Sequence, residues 1–291
     1  MTVSVILVNF NDRERLRTCL NSLRAQALVP EITVVDNAST DGSGALVASE
    51  FPEVRWIALP ENAGFGKANN AGVRAAKGDP LLFLNTDTVV PPGALSALAA
   101  RLASDPRAAA VGPALVRPSG RFQVSFGRSV GLAGQSLQKF FLNPVQERTL
   151  PRSGRLRSVG WLSAACLLCR RDSFEAAGGF DEEFFLYFED IDLCARLRKA
   201  GGRLLFDPSV KVVHEGGSTT SVRSAASRFE YRRSQVLFYG KHRSRMSEAI
   251  LRFLLRIEFR RLKARGAFEG KDGAALLTRY ERLLKGDVSL P

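Results

Sequence analysis

The sequence predicts an α/β protein: a mostly parallel, doubly wound sheet followed by a helical, basic C-terminal tail. Three observations carry this expectation. Short apolar runs alternate with amphipathic segments through the first hundred residues. Three of those runs end in polar residues: Asn9-Phe10-Asn11, Asp36-Asn37 and Asn85-Thr86-Asp87. Beyond about residue 221, Met246, Ile250, Phe253, Leu254 and Ile257 recur at helical spacing, with Arg245, Arg252, Arg256 and Arg260 flanking or opposite.

Residues 3–10 read as a buried strand and 13–27 as an amphipathic helix. Residues 32–36 form a second strand, 42–50 a helix, 54–59 a third strand and 67–77 a helix. Residues 81–85 are a fourth strand, and 92–104 a helix opened by Pro92 in its first turn. Four successive βα units imply right-handed crossovers and ligand groups at the carboxyl ends of the strands. Residues 117–160, rich in Arg, Ser, Gly and Pro, read as a long loop or hairpin over the site. From 161 the pattern resumes: one apolar strand WLSAACLLC, a short helix ending at Gly178-Gly179, the acidic stretch FDEEFFLYFEDIDL, a helix closed by Gly201-Gly202, and a strand RLLFDPSVKVVH.

The chain has 291 residues and a formal net charge of +13, which suits nucleic acid, an anionic membrane or a phosphate-bearing substrate. The excess peaks between Lys241 and Arg265, and no nucleic-acid-binding motif accompanies it, so no nucleic-acid partner is expected. No apolar run reaches the roughly 20 residues that span a bilayer. The opening MTVSVILVNFNDRERL lacks a basic leader and reads as a first core strand rather than a signal peptide. The four cysteines (Cys19, Cys166, Cys169, Cys194) read as buried thiols of a cytoplasmic protein, since no second pair or nearby histidine completes a zinc site around the CxxC.

Asp87 closes an apolar strand, where a carboxylate can hold a hard cation and the cation phosphate oxygens; the plain alternative is a turn or helix cap. Asp36 can accept hydrogen bonds from a base imide or ribose, or with Ser39 simply cap the next helix. In ENAGFGKANNAG, Gly64 and Gly66 permit close backbone approach beside Lys67, Asn69 and Asn70. This is neither a dinucleotide fingerprint nor a Walker A loop. Glu189, Asp190 and Asp192 crowd a helix start, where acids suit the dipole, yet they follow a large aromatic surface able to raise a carboxylate's pKa and position it as a base. His214 ends a strand before glycines, and could complete a metal site with Asp87 or be structural.

Together VNFN, VVDNAS, ENAGFGKANNAG, FLNTDT, GWLSAACLLCRR, GGFDEEFFLYFEDIDLCARLRKAG and HEGGST, in this order over about residues 3–220, resemble the inverting family 2 glycosyltransferases of GT-A fold, in particular their bacterial rhamnosyltransferase-like branch. The resemblance implies a Rossmann-like catalytic domain over 1–220, with a nucleotide-binding half to about 115 and an acceptor and catalytic half from 116, followed by a helical extension over 221–291. It implies a nucleotide-sugar donor (dTDP-rhamnose favoured, UDP sugars open), a divalent cation (Mg2+ or Mn2+), and a glycan or lipid-linked acceptor. Asp190 matches the catalytic base, with Glu189 beside it. Asp87 matches the last acid of the metal-binding DxD motif, and His214 a further ligand. Asp36 matches the nucleotide contact, and Asn9, Asn37, Asn62, Gly64, Lys67, Asn69 and Asn85 fall in the donor-binding segments. Asn85 replaces the first acid of the DxD motif and brings no charge. Ala68 stands where many relatives carry glycine.

Processive relatives carry QxxRW and membrane helices. Here Trp56 and Trp161 lie outside any such context, so non-processive transfer is expected. The tail reads either as a docked helix with a solvated basic face or as a helix on anionic lipid at the inner face of the plasma membrane. The competing function is a sugar-nucleotide-binding protein without transferase activity. The sequence leaves the oligomeric state open.

Overall fold

The computed structural model describes residues 2–128, 155–216, 225–266, 268 and 273–289. The first half follows the expected alternation. Strand β1 (Ser4–Asn9) leads to α1 (Arg13–Arg24), β2 (Glu31–Asp36) to α2 (Ser43–Glu50), β3 (Arg55–Ala58) to α3 (Phe65–Ala75), and β4 (Leu81–Asn85) through the two-residue β5 (Thr88–Val89) to α4 (Ala94–Ala103). Then come β6 (Ala108–Val116), β7 (Phe122–Gln123), β8 (Phe126–Gly127), β9 (Arg157–Val159), β10 (Trp161–Leu162), β11 (Cys166–Cys169), α5 (Arg171–Ala176), α6 (Glu189–Lys199) and β12 (Arg203–His214). The tail forms α7 (Ala225–His242), α8 (Arg245–Ala264) and α9 (Gly273–Lys285).

The main sheet runs β3-β2-β1-β4-β11-β6-β12-β5, with β7 on β6 and β9 on β12. Strands β3, β2, β1 and β4 are parallel, and so are β6 and β12. β11 enters antiparallel between β4 and β6. Alternation in the strands fills both faces. Val5, Leu7, Leu82 and Leu84 pack with Leu16, Leu20, Leu95 and Leu98 of α1 and α4, while Ile6, Leu81 and Phe83 pack with Val73, Phe174, Phe180 and Leu197 on the other side. This is the doubly wound arrangement the sequence predicts.

Two elements depart from the sequence reading. β6 has no counterpart there: Gly112-Pro113 argues against a central strand. The sheet accommodates the proline through a register break in β12, whose Asp207 pairs with Pro113 and whose next partner, Lys211, pairs with Ala114. The expected single strand WLSAACLLC divides into β10 and β11, because Ser163 and Ala164 leave the ladder to donate to Ser125 and Asp190. Most of the expected loop over 117–160, and residues 217–219 of HEGGST, lie outside the described residues; the loop's near end is a β6–β7 hairpin turned at Gly120.

All four cysteines are free and buried, and burial pushes Cys19 and Cys194 up to about 12. A third core joins the tail to the acidic segment: Phe184 and Phe188 pack with Phe229, Phe238, Tyr239 and Leu255. Among the described residues no helix is long and apolar enough to cross a membrane.

Candidate active site

Register places the polar strand ends side by side. Asn9 pairs with Asp36, and Asn85 with Val8, so three carboxyl ends share one sheet edge. Asn9 is buried and donates through Nδ2 to Asp36 Oδ1 at 2.8 Å and to Ser39 Oγ at 3.0 Å. Its Oδ1 has no hydrogen-bond partner among the described residues. The other Asp36 oxygen accepts the Ser39 amide at 2.9 Å, so Asp36 closes the turn after β2 rather than capping α2, which begins after Gly42. Asn37 joins this turn to the next one, accepting from the Ala63 amide at 3.3 Å and donating to the Gly64 carbonyl at 3.2 Å. Asn62 accepts the Gly64 amide at 3.0 Å.

Gly64 has φ +83°, and a Cβ there would meet the Phe185 carbonyl oxygen at 2.4 Å. The glycine thus serves a close approach between the α3 start and the acidic segment, sealed by Phe65 N–H to Phe185 O at 2.9 Å. Lys67 is exposed in the first turn of α3, and Asn69 is buried with its Nδ2 on the Phe65 carbonyl at 2.9 Å.

The structure brings Asn85, Asp87 and His214 together. Pairing of His214 with Thr88 carries the end of β12 to the end of β4. His214 Nε2 lies 3.2 Å from Asp87 Oδ1 and 3.4 Å from Asn85 Nδ2. The Gly216 amide donates to Asp87 Oδ2 at 3.1 Å. Burial pushes the Asp87 carboxyl up, but the hydrogen bond and charge of His214 with the Gly216 amide outweigh it, and the net direction is below the ordinary range.

Gln123, which sequence reasoning missed, settles the imidazole tautomer. Its Nε2 donates to the His214 carbonyl at 3.1 Å, so its Oε1 faces His214 Nδ1 at 2.7 Å and must accept a proton from it. With a second proton on Nε2 the imidazolium donates to Asp87; without it, Nε2 and the carboxylate oxygen are two facing acceptors able to ligate one cation, so these residues fit a divalent ion. Among the described residues no group of three or more His, Cys, Asp or Glu forms a metal cage, so a bound ion needs oxygens from outside this set. Thr86 and Asp12 brace the site: Thr86 Oγ1 donates to Asp12 Oδ2 at 2.8 Å, and Arg15 bridges Asp12 to Glu215.

Glu189 and Asp190 open α6. Asp190 is half-buried; its Oδ1 accepts the Ile191 amide at 2.8 Å and its Oδ2 the Ala164 amide at 3.1 Å. Burial raises the Asp190 carboxyl and these amides pull against the rise. Glu189 is buried with Oε2 lacking a partner among the described residues, and burial followed by the Asp190 charge pushes it well above the carboxylate range. Two adjacent residues link these groups. Ala165 accepts the Asn85 amide at 3.1 Å, while its neighbour Ala164 donates to Asp190.

The sequence model of the family described as Glycosyl transferase family 2 matches residues 4–178. An N-acetylglucosaminyl-diphospho-decaprenol L-rhamnosyltransferase of Mycobacterium tuberculosis is 32% identical over 272 residues, covering 87% of this chain and 88% of its own. Rhamnosyltransferase WbbL of Escherichia coli is 30% identical over 226 residues, covering 73% of this chain and 83% of its own. Among solved structures, a mannosyltransferase of Pyrobaculum calidifontis in complex with GDP-Man and Mn2+ superimposes with a TM-score of 0.59 at 22% identity, over 97% of this chain and 79% of that one. A sheet edge lined by Asn9, Asp36 and Asn85, a paired Asp87 and His214, and a carboxylate at the start of α6 are thus found in a chain that belongs to the family 2 glycosyltransferases, rhamnosyltransferase-like in sequence and GT-A in fold.

Proposed function

We propose that this glycosyltransferase adds single sugars, with inversion, from a nucleoside-diphosphate donor to a hydroxyl of a lipid-linked or cell-surface glycan, dTDP-rhamnose being the favoured donor. The observation that carries the reading is the Ala164-Ala165 step, which fixes Asp190 next to the Asn85-Thr86-Asp87 corner. Two relatives named as rhamnosyltransferases support the sugar, and the diphospho-decaprenol in the name of one supports a lipid-linked acceptor.

Asn9, Asp36 and Asn37 bind the nucleotide along the sheet edge, with Asn62, Gly64, Lys67 and Asn69 in the adjoining turn and helix. Asp190 takes the proton of the acceptor hydroxyl as its oxygen bonds the anomeric carbon. The bond from that carbon to the diphosphate breaks in the same step, the bonding electrons leave with the diphosphate, and one in-line displacement inverts the centre. Asp87, His214 and Asn85 would hold Mg2+ or Mn2+, with Gln123 fixing the imidazole. When bound, the ion supplies positive charge against the leaving diphosphate.

The structure also bears on the tail. α8 docks through Leu251 and Leu255, whereas Met246, Ile250, Phe253 and Leu254 are exposed, Met246 by 73% and Phe253 by 60%. At 100° per residue this second apolar stripe lies roughly opposite the docked one. Exposed Arg245, Arg256, Arg260 and Arg261 flank it. This favours peripheral attachment to an anionic membrane, where a lipid-linked acceptor resides.

A donor panel tests the function, reading nucleoside diphosphate release with and without a lipid-linked acceptor fraction. Acceptor-dependent release from dTDP-rhamnose is expected. Saturable donor binding with no release from any donor would instead identify a sugar-nucleotide-binding protein.

A further inference from the structure

The two residues immediately before Glu189, Tyr187 and Phe188, both have φ of +67°, a left-handed conformation that bulky side chains rarely adopt. Two such residues in succession persist only where the surroundings over-determine them. Here the surroundings are α7. Ser234, fully buried, donates through Oγ to the Leu186 carbonyl at 2.8 Å, at the residue where the strained turn begins. The Tyr231 ring meets Tyr187 edge-on at 5.7 Å and Phe188 at 5.3 Å between centroids, and Phe238 meets Phe188 at 5.6 Å.

Contacts on either side extend the grip. Arg233 donates to the Glu183 carbonyl at 3.0 Å, and Lys241 reaches Asp181 at 2.6 Å. His242 Nε2 sits 2.6 Å from Asp192 Oδ1, one residue beyond Ile191 in the first turn of α6. A single tail helix therefore holds the acidic segment both before and after Asp190.

We infer that α7 is a catalytic positioning element: Tyr231 and Ser234 hold the left-handed 187–188 turn that aims Asp190. None of these tail residues touches the donor corner, so their effect falls on the chemical step. The inference rests on Asp190 being the base. Because Asp190 gains its Ala164 hydrogen bond only when the start of α6 is correctly rotated, a turn that relaxes toward negative φ withdraws the base while leaving Asp36, Asp87 and His214 in place.

The test compares Ser234→Ala, Tyr231→Leu and their double variant with Tyr231→Phe and Asp190→Asn in the full chain. Turnover is read as nucleoside diphosphate release, and donor affinity by calorimetry. The double variant is expected to lose at least tenfold in kcat with donor affinity within twofold of the parent, and Tyr231→Phe, which keeps the ring, to retain kcat. Should the double variant fail to fold, the two single variants are read in the same way. Wild-type kcat in Ser234→Ala and Tyr231→Leu, or a parallel loss of kcat and donor affinity, overturns the inference. An active Asp190→Asn would instead defeat the assignment of the base itself, so the two failures are distinct.

Discussion

Ala164 donates its backbone amide to Asp190 Oδ2 at 3.1 Å, and the same peptide step lets Ala165 accept the amide of Asn85. The break between β10 and β11 that frees the Ala164 amide therefore helps to hold the proposed base. A continuous strand would spend that amide on the sheet ladder and leave Asp190 with the Ile191 amide alone.

Glu189 makes stability depend on pH. Its carboxyl is held well above the ordinary range, first by burial and then by Asp190. The folded chain keeps a proton that the unfolded chain releases at ordinary carboxylate pH. Stability is thus full below the unfolded pKa and falls as pH rises toward the raised folded pKa, each unit of difference costing about 1.4 kcal/mol. Glu189→Gln fixes the neutral form. Its Tm is expected to exceed the parent's at neutral pH and to converge with it at a pH of about 4. Thermal denaturation across that range checks this, and a variant less stable than the parent at neutral pH would refute it.

The corner of Asn85, Asp87 and His214 predicts two graded losses. Asp87→Ala removes the one carboxylate there and is expected to abolish metal-dependent binding of nucleoside diphosphate. Gln123→Leu leaves every ligand in place but frees the tautomer of His214, and should weaken Mn2+ affinity about 10–100-fold. Calorimetry with Mn2+ and the nucleotide measures both. Unchanged affinity in Gln123→Leu would show that the imidazole does not bind through Nε2.

The exposed stripe of α8 predicts salt-sensitive attachment to lipid. Each basic residue at an anionic surface is worth roughly 1 kcal/mol, screened by salt. Flotation should show binding to anionic vesicles at low salt, release at high salt and little binding to neutral vesicles. Phe253→Glu should abolish binding with Tm unchanged, because Phe253 is 60% exposed. Equal behaviour on both lipids would leave the stripe without a membrane role.

Much of this was legible in the sequence, because strand ends are local. Apolar runs closing on Asn9, Asp36 and Asn85 forecast a sheet edge, and β1 aligns all three. Asp87 and His214 stand out in the sequence as candidate ligands, and the structure brings them within 3.2 Å through the pairing of β5 with β12. What escaped reading is non-local. β6 hides a proline that only the register break in β12 accommodates. Gln123 is an unremarkable residue in a basic stretch until β7 carries it to His214. The left-handed turn at Tyr187 and Phe188 contains no glycine or asparagine to announce it, since its cause lies some fifty residues later in α7.

Whether Asp190 accepts the acceptor's proton is decided by Asp190→Asn. The amide preserves shape but cannot take the proton, and a positioned base is worth about 10²–10⁴ in rate. Turnover measured as nucleoside diphosphate release under saturating donor and acceptor, with donor affinity measured alongside, should show a loss of at least about a hundredfold in kcat with affinity within a few-fold of the parent. Retention of more than about a tenth of the parent's turnover would contradict the account, because a loss that small falls below what a general base supplies.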